Sequence, residues 1–284
     1  MTRFFALAFF CLSLPALAAR TLTDDLGRSV TVPDHPHRLV CLMPSVVDDV
    51  YALGAGSDII AVTEYAKYPP EAKTKPSVGL PVSPSLETIV SLHPDLVLAS
   101  ADLNRSETTN QLERLQIPVF TVTTHGIEGI YQSIASLGRA LNREQEAAKL
   151  VGVLRERAAA VHRRVTGKSI VNVLMPIWYD PIVTIGKDAY ITDLIEIAGG
   201  HSVTSDVPEE WPEISLEAVL ARAPEALLLV RGSKMSVEAI RTRPGWLTMA
   251  AVRNNRIYYF DDRIESPSPV AFDALEDLAK QFHR

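Results

Sequence analysis

Apolar and polar positions alternate with period two in two short stretches near the start of the chain, Thr21 to Thr23 and Ser29 to Val32. Between them lies Asp24-Asp25-Leu26-Gly27-Arg28, so the pattern predicts a β-hairpin around a glycine turn. After Pro33 and Pro36 short apolar runs take over, separated by segments of helical period. The runs predict strands at Arg38 to Met43, Ile59 to Thr63, Leu96 to Ala99 and Val119 to Val122. Helices are expected near Val46 to Leu53, from Leu86, and from about Glu107. Such alternation builds mostly parallel sheets covered by helices.

From Ile127 to Val165 the helical period runs almost unbroken, with Asn142 expected as the N-cap of its second part and Gly167 as its end. The second part, Arg143 to Val165, would span about 35 Å at 1.5 Å per residue. Ala147, Leu150, Val151, Leu154, Ala158 and Val161 fall on one face, with Arg155, Glu156, Arg157, Arg163 and Arg164 mainly elsewhere. That fits a packed surface helix and also a rigid connector. Beyond Lys168 the alternation restarts, with strands at Ile170 to Leu174, Leu227 to Val230 and Ile257 to Phe260. Helices are expected at Ala189 to Ala198, from Leu216, and at Val270 to Phe282.

The restart is visible in the letters. Ser85-Leu86-Glu87 with Pro94 and Leu98 lines up with Ser215-Leu216-Glu217 with Pro224 and Leu228, an offset of 130. Leu42-Met43-Pro44 recurs as Leu174-Met175-Pro176, an offset of 132. Nearly equal offsets point to a duplicated unit. The expected fold is therefore α/β: two Rossmann-like lobes with mostly parallel sheets joined by a single long helix. The N-terminal lobe is expected over 20–141, the connecting helix over 142–167 and the C-terminal lobe over 168–284. A ligand would sit in the crevice between the lobes, at the carboxyl ends of the strands.

The first residues change the picture of where the chain works. Thr2-Arg3, an apolar run from Phe4 to Leu14, then Pro15 and Ala16-Leu17-Ala18-Ala19 read as a signal peptide over 1–19. The apolar run is about half the length a membrane helix needs. Cys11 lacks the small residue before it that a lipid-modified cysteine would have. A monomer, soluble in a periplasm after signal-peptide cleavage, is expected. Cleavage leaves Cys41 as the only thiol, so no internal disulfide forms, and its apolar neighbours predict a buried role.

A formal charge of −6 without a basic run disfavours nucleic acid and lipid head groups. The usual hydrolase elbow, phosphate loop and zinc-protease motifs are missing, so no enzyme and no cofactor are expected. Of 7 histidines only His35 and His37 lie close together, too few for a zinc site. Aromatic residues cluster where strand-to-helix loops face the crevice: Tyr65, Tyr68, Trp178, Tyr179 and Trp211. Together they suit a large, flat, partly apolar ligand, with Arg105, Arg231 and Arg263 available for acidic groups on it. Glu87 and Glu217 occupy equivalent first turns after a serine cap. They complement the helix dipole, or dock one acid per lobe onto a twofold partner.

The Asp24-Asp25-Leu26-Gly27-Arg28 hairpin, Met43-Pro44-Ser45, Thr63-Glu64-Tyr65, Tyr68-Pro69-Pro70-Glu71-Ala72 and both Ser-Leu-Glu repeats together resemble the helical-backbone periplasmic binding proteins. Those proteins serve ABC importers for cobalamin, iron-siderophores and haem. The resemblance covers the chain from about Leu22 onward. It is nearest to the cobalamin-binding branch, through Thr184-Ile185-Gly186-Lys187, Trp211-Pro212, Asp262 and Ser268-Pro269. It implies that Tyr65 and Trp211 line a corrinoid site with Asp262 nearby, and that Glu87 and Glu217 meet arginines of an inner-membrane permease dimer. Two positions depart from a well-known member of that branch: Gly79-Leu80-Pro81-Val82 lacks its tryptophan, and Ser266 stands where it has an arginine. A ferric siderophore or haem is the alternative cargo, and a metal-handling protein or hydrolase using the same crevice is a more distant one.

Overall fold

A computed structural model describes residues 19–232 and 236–283. The leader expected over 1–19 lies outside the described residues except for Ala19. A hairpin of β1 (Ala19–Thr23) and β2 (Ser29–Pro33) opens the described chain, closed by Gly27 at φ 76°. The first half continues with β3 (Leu39–Cys41), α1 (Pro44–Ala52), β4 (Ile59–Val62) and a two-stranded ladder of β5 (Gly79–Leu80) and β6 (Ser83–Pro84). It goes on through α2 (Leu86–Ser91), β7 (Leu96–Ser100), α3 (Ser106–Arg114) and β8 (Val119–Val122). After α4 (Gly126–Ala140) and α5 (Glu144–Val165), the second half runs β9 (Val171–Leu174), β10 (Pro176–Tyr179), β11 (Ile182–Thr184), α6 (Tyr190–Ile197) and β12 (Gly200–Ser202). It closes with β13 (Glu213–Ile214), α7 (Leu216–Ala221), β14 (Ala226–Val230), α8 (Val237–Arg241), α9 (Ala250–Arg253), β15 (Ile257–Phe260) and α10 (Ala271–Phe282).

Each half holds one four-stranded parallel sheet, ordered β4-β3-β7-β8 in the first and β12-β9-β14-β15 in the second. The central strands β7 and β14 are buried at every position, which is why they read as unbroken apolar runs rather than alternations. The repeat extends to details the letters did not show. His93 and Ala223, 130 residues apart, both take the left-handed conformation, at φ 46° and 48°. Each lies just before the proline that precedes the next strand. The α/β fold of two lobes with mostly parallel sheets stands as the sequence predicts.

Two local expectations change. Asn142 is not an N-cap: at φ 57° it is the left-handed residue that ends α4, and Arg143 precedes α5 without a side-chain cap. Leu174-Met175-Pro176 repeats the letters of Leu42-Met43-Pro44, but Pro44 starts a helix whereas Pro176 starts a strand. The cause is the inserted β10–β11 hairpin, which joins β13 in a three-stranded antiparallel sheet. The long helix is packed along one face, as the first of its two readings expects. Ala147, Leu154, Ala158, Val161 and Val165 are buried, α5 packs on α4 and α10, and α4 reaches α6. One hydrophobic core runs without a break from Leu39 and Leu96 through Ile134 and Leu154 to Leu194 and Phe272.

Candidate ligand-binding crevice

Parallel strands aim their carboxyl ends at one edge, so the loops after β3, β4 and β15 meet between the halves. They enclose a cavity of about 170 Å³. The first half supplies the start of α1, with Met43 and Asp48, and the loop carrying Tyr65, Lys67 and Tyr68. The second half supplies Asp262, Glu265 and Ser266. A larger depression of about 820 Å³ lies on the outer face of α5 and α10, away from every strand end.

Two sets of contacts cross between the halves at this cavity. The Tyr68 hydroxyl donates to Asp262 Oδ1 at 2.6 Å, and the Lys67 ammonium pairs with the other oxygen of Asp262. Burial raises the Asp262 carboxyl, but these partners outweigh it and hold the acid below its usual range. The same hydrogen bond, with burial, pushes the Tyr68 phenol well above its own. The second set is centred on Asp48, whose Oδ2 accepts from Ser266 Oγ at 2.6 Å and from Ser268 Oγ at 3.0 Å. Burial pushes its carboxyl up to about 6, with the two serines pulling the other way. Among the described residues Oδ1 of Asp48, itself shut off from solvent, has no partner. Below it, Asp49 is 1% exposed and raised by burial and by Asp48; its Oδ2 accepts from Ser133 at 3.4 Å.

Tyr65 takes a left-handed backbone at φ 71°, rare for a bulky residue, and is 64% exposed at the cavity. Glu265 is open to the crevice yet flanked by protein; burial, then Asp262, raise its carboxyl. Among the described residues no ion pair or side-chain hydrogen bond engages it.

The other residues singled out in the sequence lie elsewhere or are already engaged. Trp178 and Tyr179 stand on β10, not in a loop, and stack at 5.3 Å. The Arg243 guanidinium covers Tyr179 at 3.3 Å, and together they line a separate cavity of about 430 Å³ beside Ser215 and Leu216. Trp211, 42% exposed, directly precedes the strand pairing of β13 with β11. Arg263 turns from the crevice to Asp261, at 2.9 Å, and Asp273, at 3.1 Å. Arg231 donates to the Tyr259 carbonyl, and Arg105 is exposed ahead of α3. His37 faces Asp58 at 3.3 Å and His35 faces Asn142 at 3.5 Å, all four around a separate cavity of about 270 Å³. Cys41 is fully buried, its thiol pushed far up by burial and by Asp49.

Glu87 and Glu217 do occupy matching places. Each is exposed in the first turn of a helix whose serine cap, Ser85 or Ser215, accepts from the backbone N–H three residues on at 3.2 Å. Among the described residues neither is in an ion pair.

Sequence reasoning missed Asp48, Lys67 and Glu265. One signal was present: Asp48-Asp49 interrupts Ser45-Val46-Val47 and Val50, a helix otherwise apolar on its inner side. Two adjacent acids there need partners from outside the helix.

Known proteins agree with this architecture. A family model described as periplasmic binding protein matches residues 39–264. An uncharacterized ABC transporter substrate-binding lipoprotein of Bacillus subtilis, YvrC, is 29% identical over 271 residues, covering 93% of this chain and 85% of that protein. The vitamin B12-binding protein of Vibrio parahaemolyticus is 27% identical over 257 residues, covering 89% and 92%. Among solved structures, the periplasmic haem-binding protein RhuT of Roseiflexus in apo form superposes with a TM-score of 0.78 at 28% identity, over 87% of this chain and 98% of that one. No helix among the described residues is long and apolar enough to cross a membrane.

Proposed function

The chain belongs to the periplasmic binding protein family, and from that premise we propose that it carries cobalamin or a related corrinoid to an inner-membrane ABC permease. It is a substrate-binding protein of the ABC transporter class. In this reading residues 1–19 direct export and are removed, and the ligand lies between lobes of residues 20–141 and 168–284. It is bound and released unchanged.

The observation that carries the reading is a cavity closed jointly by strand-end loops of both halves, with Tyr65 and Tyr68 on its first-half side and Asp262 opposite. A macrocycle is larger than about 170 Å³, so it extends past the cavity over the exposed Tyr65. Aromatic faces bury the flat part of such a ligand, and a few polar groups orient it. The corrinoid choice rests on Tyr65, Trp211 and Asp262 matching the cobalamin-binding branch, and on the vitamin B12-binding relative. Haem is the second reading, favoured by the likeness to the haem-binding protein of Roseiflexus.

Mature protein incubated separately with cyanocobalamin, haem and a ferric hydroxamate, then desalted, is expected to retain the corrinoid spectrum at one equivalent. Retention of haem or the iron complex alone would transfer the cargo to that class.

A further inference from the structure

We infer that the start of α1 is a seat for a carbonyl oxygen of the ligand, held by the Ser45 hydroxyl at the uncapped first turn of that helix. The inference rests on the reading that the crevice holds a metal chelate, and it names the contact that orients the chelate. Ser45 lines the cavity and is only 3% exposed. Among the described residues its hydroxyl makes no hydrogen bond. Oδ1 of Asp48 is unpartnered and sealed, whereas the Ser45 hydroxyl is unpartnered and keeps a surface open, which the cavity receives. Buried polar groups almost always have a partner, so a hydroxyl left this way is placed to donate to what enters the cavity.

The backbone at the same place is also short of acceptors. Met43, at the N-cap of the 9-residue helix, offers no side-chain bond, and Pro44 has no N–H. The first bond of the helix runs from the Val47 N–H to the Met43 carbonyl at 3.1 Å. The N–H groups of Ser45 and Val46 therefore have no partner within α1, and among the described residues neither donates to another backbone group. The turn that leads in is held still, because the buried Asn104 amide donates to the Leu42 carbonyl at 3.0 Å and to the Pro81 carbonyl at 2.8 Å. Asp48, three residues on along the same helix face, sets an acid against the positive helix end. The seat thus works by short hydrogen bonds more than by net charge, which suits an uncharged carbonyl oxygen better than a carboxylate. It is also one-sided: the second half begins a strand at Pro176 where the first begins this helix at Pro44. An oxygen held there fixes which edge of the chelate lies against the first half.

The test titrates the mature protein and its Ser45 variants with cyanocobalamin and ferrioxamine B, which carry amide carbonyls, and with haem, whose oxygens are all carboxylate. Ser45→Ala is expected to weaken whichever carbonyl-bearing probe the wild type binds by about threefold to tenfold, the loss of one hydrogen bond. Ser45→Cys, close in shape but a weak donor, should fall between alanine and wild type. The melting temperature of ligand-free Ser45→Ala should match wild type, because the hydroxyl has no partner in the fold to lose; a lower one would make Ser45 structural and overturn the seat. Equal affinity of Ser45→Ala and wild type for that probe overturns it too and leaves the crevice reading standing. Wild type that binds haem alone, or none of the three, takes away the corrinoid reading and this inference together.

Discussion

Asp48 shows how one side chain can set a pH dependence. It lies mid-helix among Val46, Val47 and Val50, all buried, with its carboxyl pushed from 3.8 to about 6 chiefly by burial. Because the folded value lies above the unfolded one, the protonated acid favours the fold. That stabilisation is complete below pH 3.8 and is lost as pH rises through about 6. A shift of this size corresponds to about 3 kcal/mol, and Asp49, raised in the same direction, acts with the same sign. Wild-type protein is expected to melt several degrees lower at pH 7.5 than at pH 5. Asp48→Asn, which keeps an acceptor for Ser266 and Ser268, should flatten that difference; parallel melting curves for the two proteins would remove Asp48 from the explanation. The aromatic side of the site was legible in the sequence because Tyr65 and Tyr68 directly follow a recognisable strand. The acid floor was not, because the partners of Asp48 lie 218 and 220 residues away. Only folding reveals that pairing.

At the scale of elements, the order and type of the main strands and helices follow from apolar periodicity, and their close approaches do not. Gly138 is the clearest case. A helical period marks it merely as a weak point in α4, where alanine would normally gain about 1 kcal/mol. In the fold, a Cβ there would sit 2.5 Å from the Ala147 Cβ and 3.2 Å from the Arg143 carbonyl oxygen, where α4 meets the start of α5. Overpacking of this kind costs about 1–3 kcal/mol, so the clash outweighs propensity. Gly138→Ala is expected to lower the urea midpoint. Gly152→Ala, on the same pair of helices with nothing within 4 Å of the added methyl, should raise it; a stabilised Gly138→Ala would show that the helices separate freely. The β10–β11 hairpin escaped the sequence reading for a related reason. Repeated letters at Leu174-Met175-Pro176 invited the conformation of the first copy, while the antiparallel partner strands decided otherwise.

Over the whole molecule, the duplication places Glu87 and Glu217 at equivalent helix starts, one per half, both exposed and both without an ion-pair partner among the described residues. An acid in a first turn gains a few tenths of a kcal/mol from the helix dipole, which would account for either residue singly. Unpartnered acids at both symmetric sites also match what a twofold membrane partner with basic pockets would read, since paired charges fix orientation and speed encounter. The continuous core that ties the halves together through α4, α5 and α10 holds the two acids at a set spacing. Both contacts would then form in one docking event, and losing one should weaken docking far less than losing both. In cells carrying the chain's own permease, Glu87→Arg or Glu217→Arg alone is expected to reduce uptake, and the double reversal to abolish it. Ligand affinity measured on the purified double variant should stay within about twofold of wild type, because neither residue lines the crevice cavity. Unchanged uptake by the double variant would return both acids to their role at the helix ends.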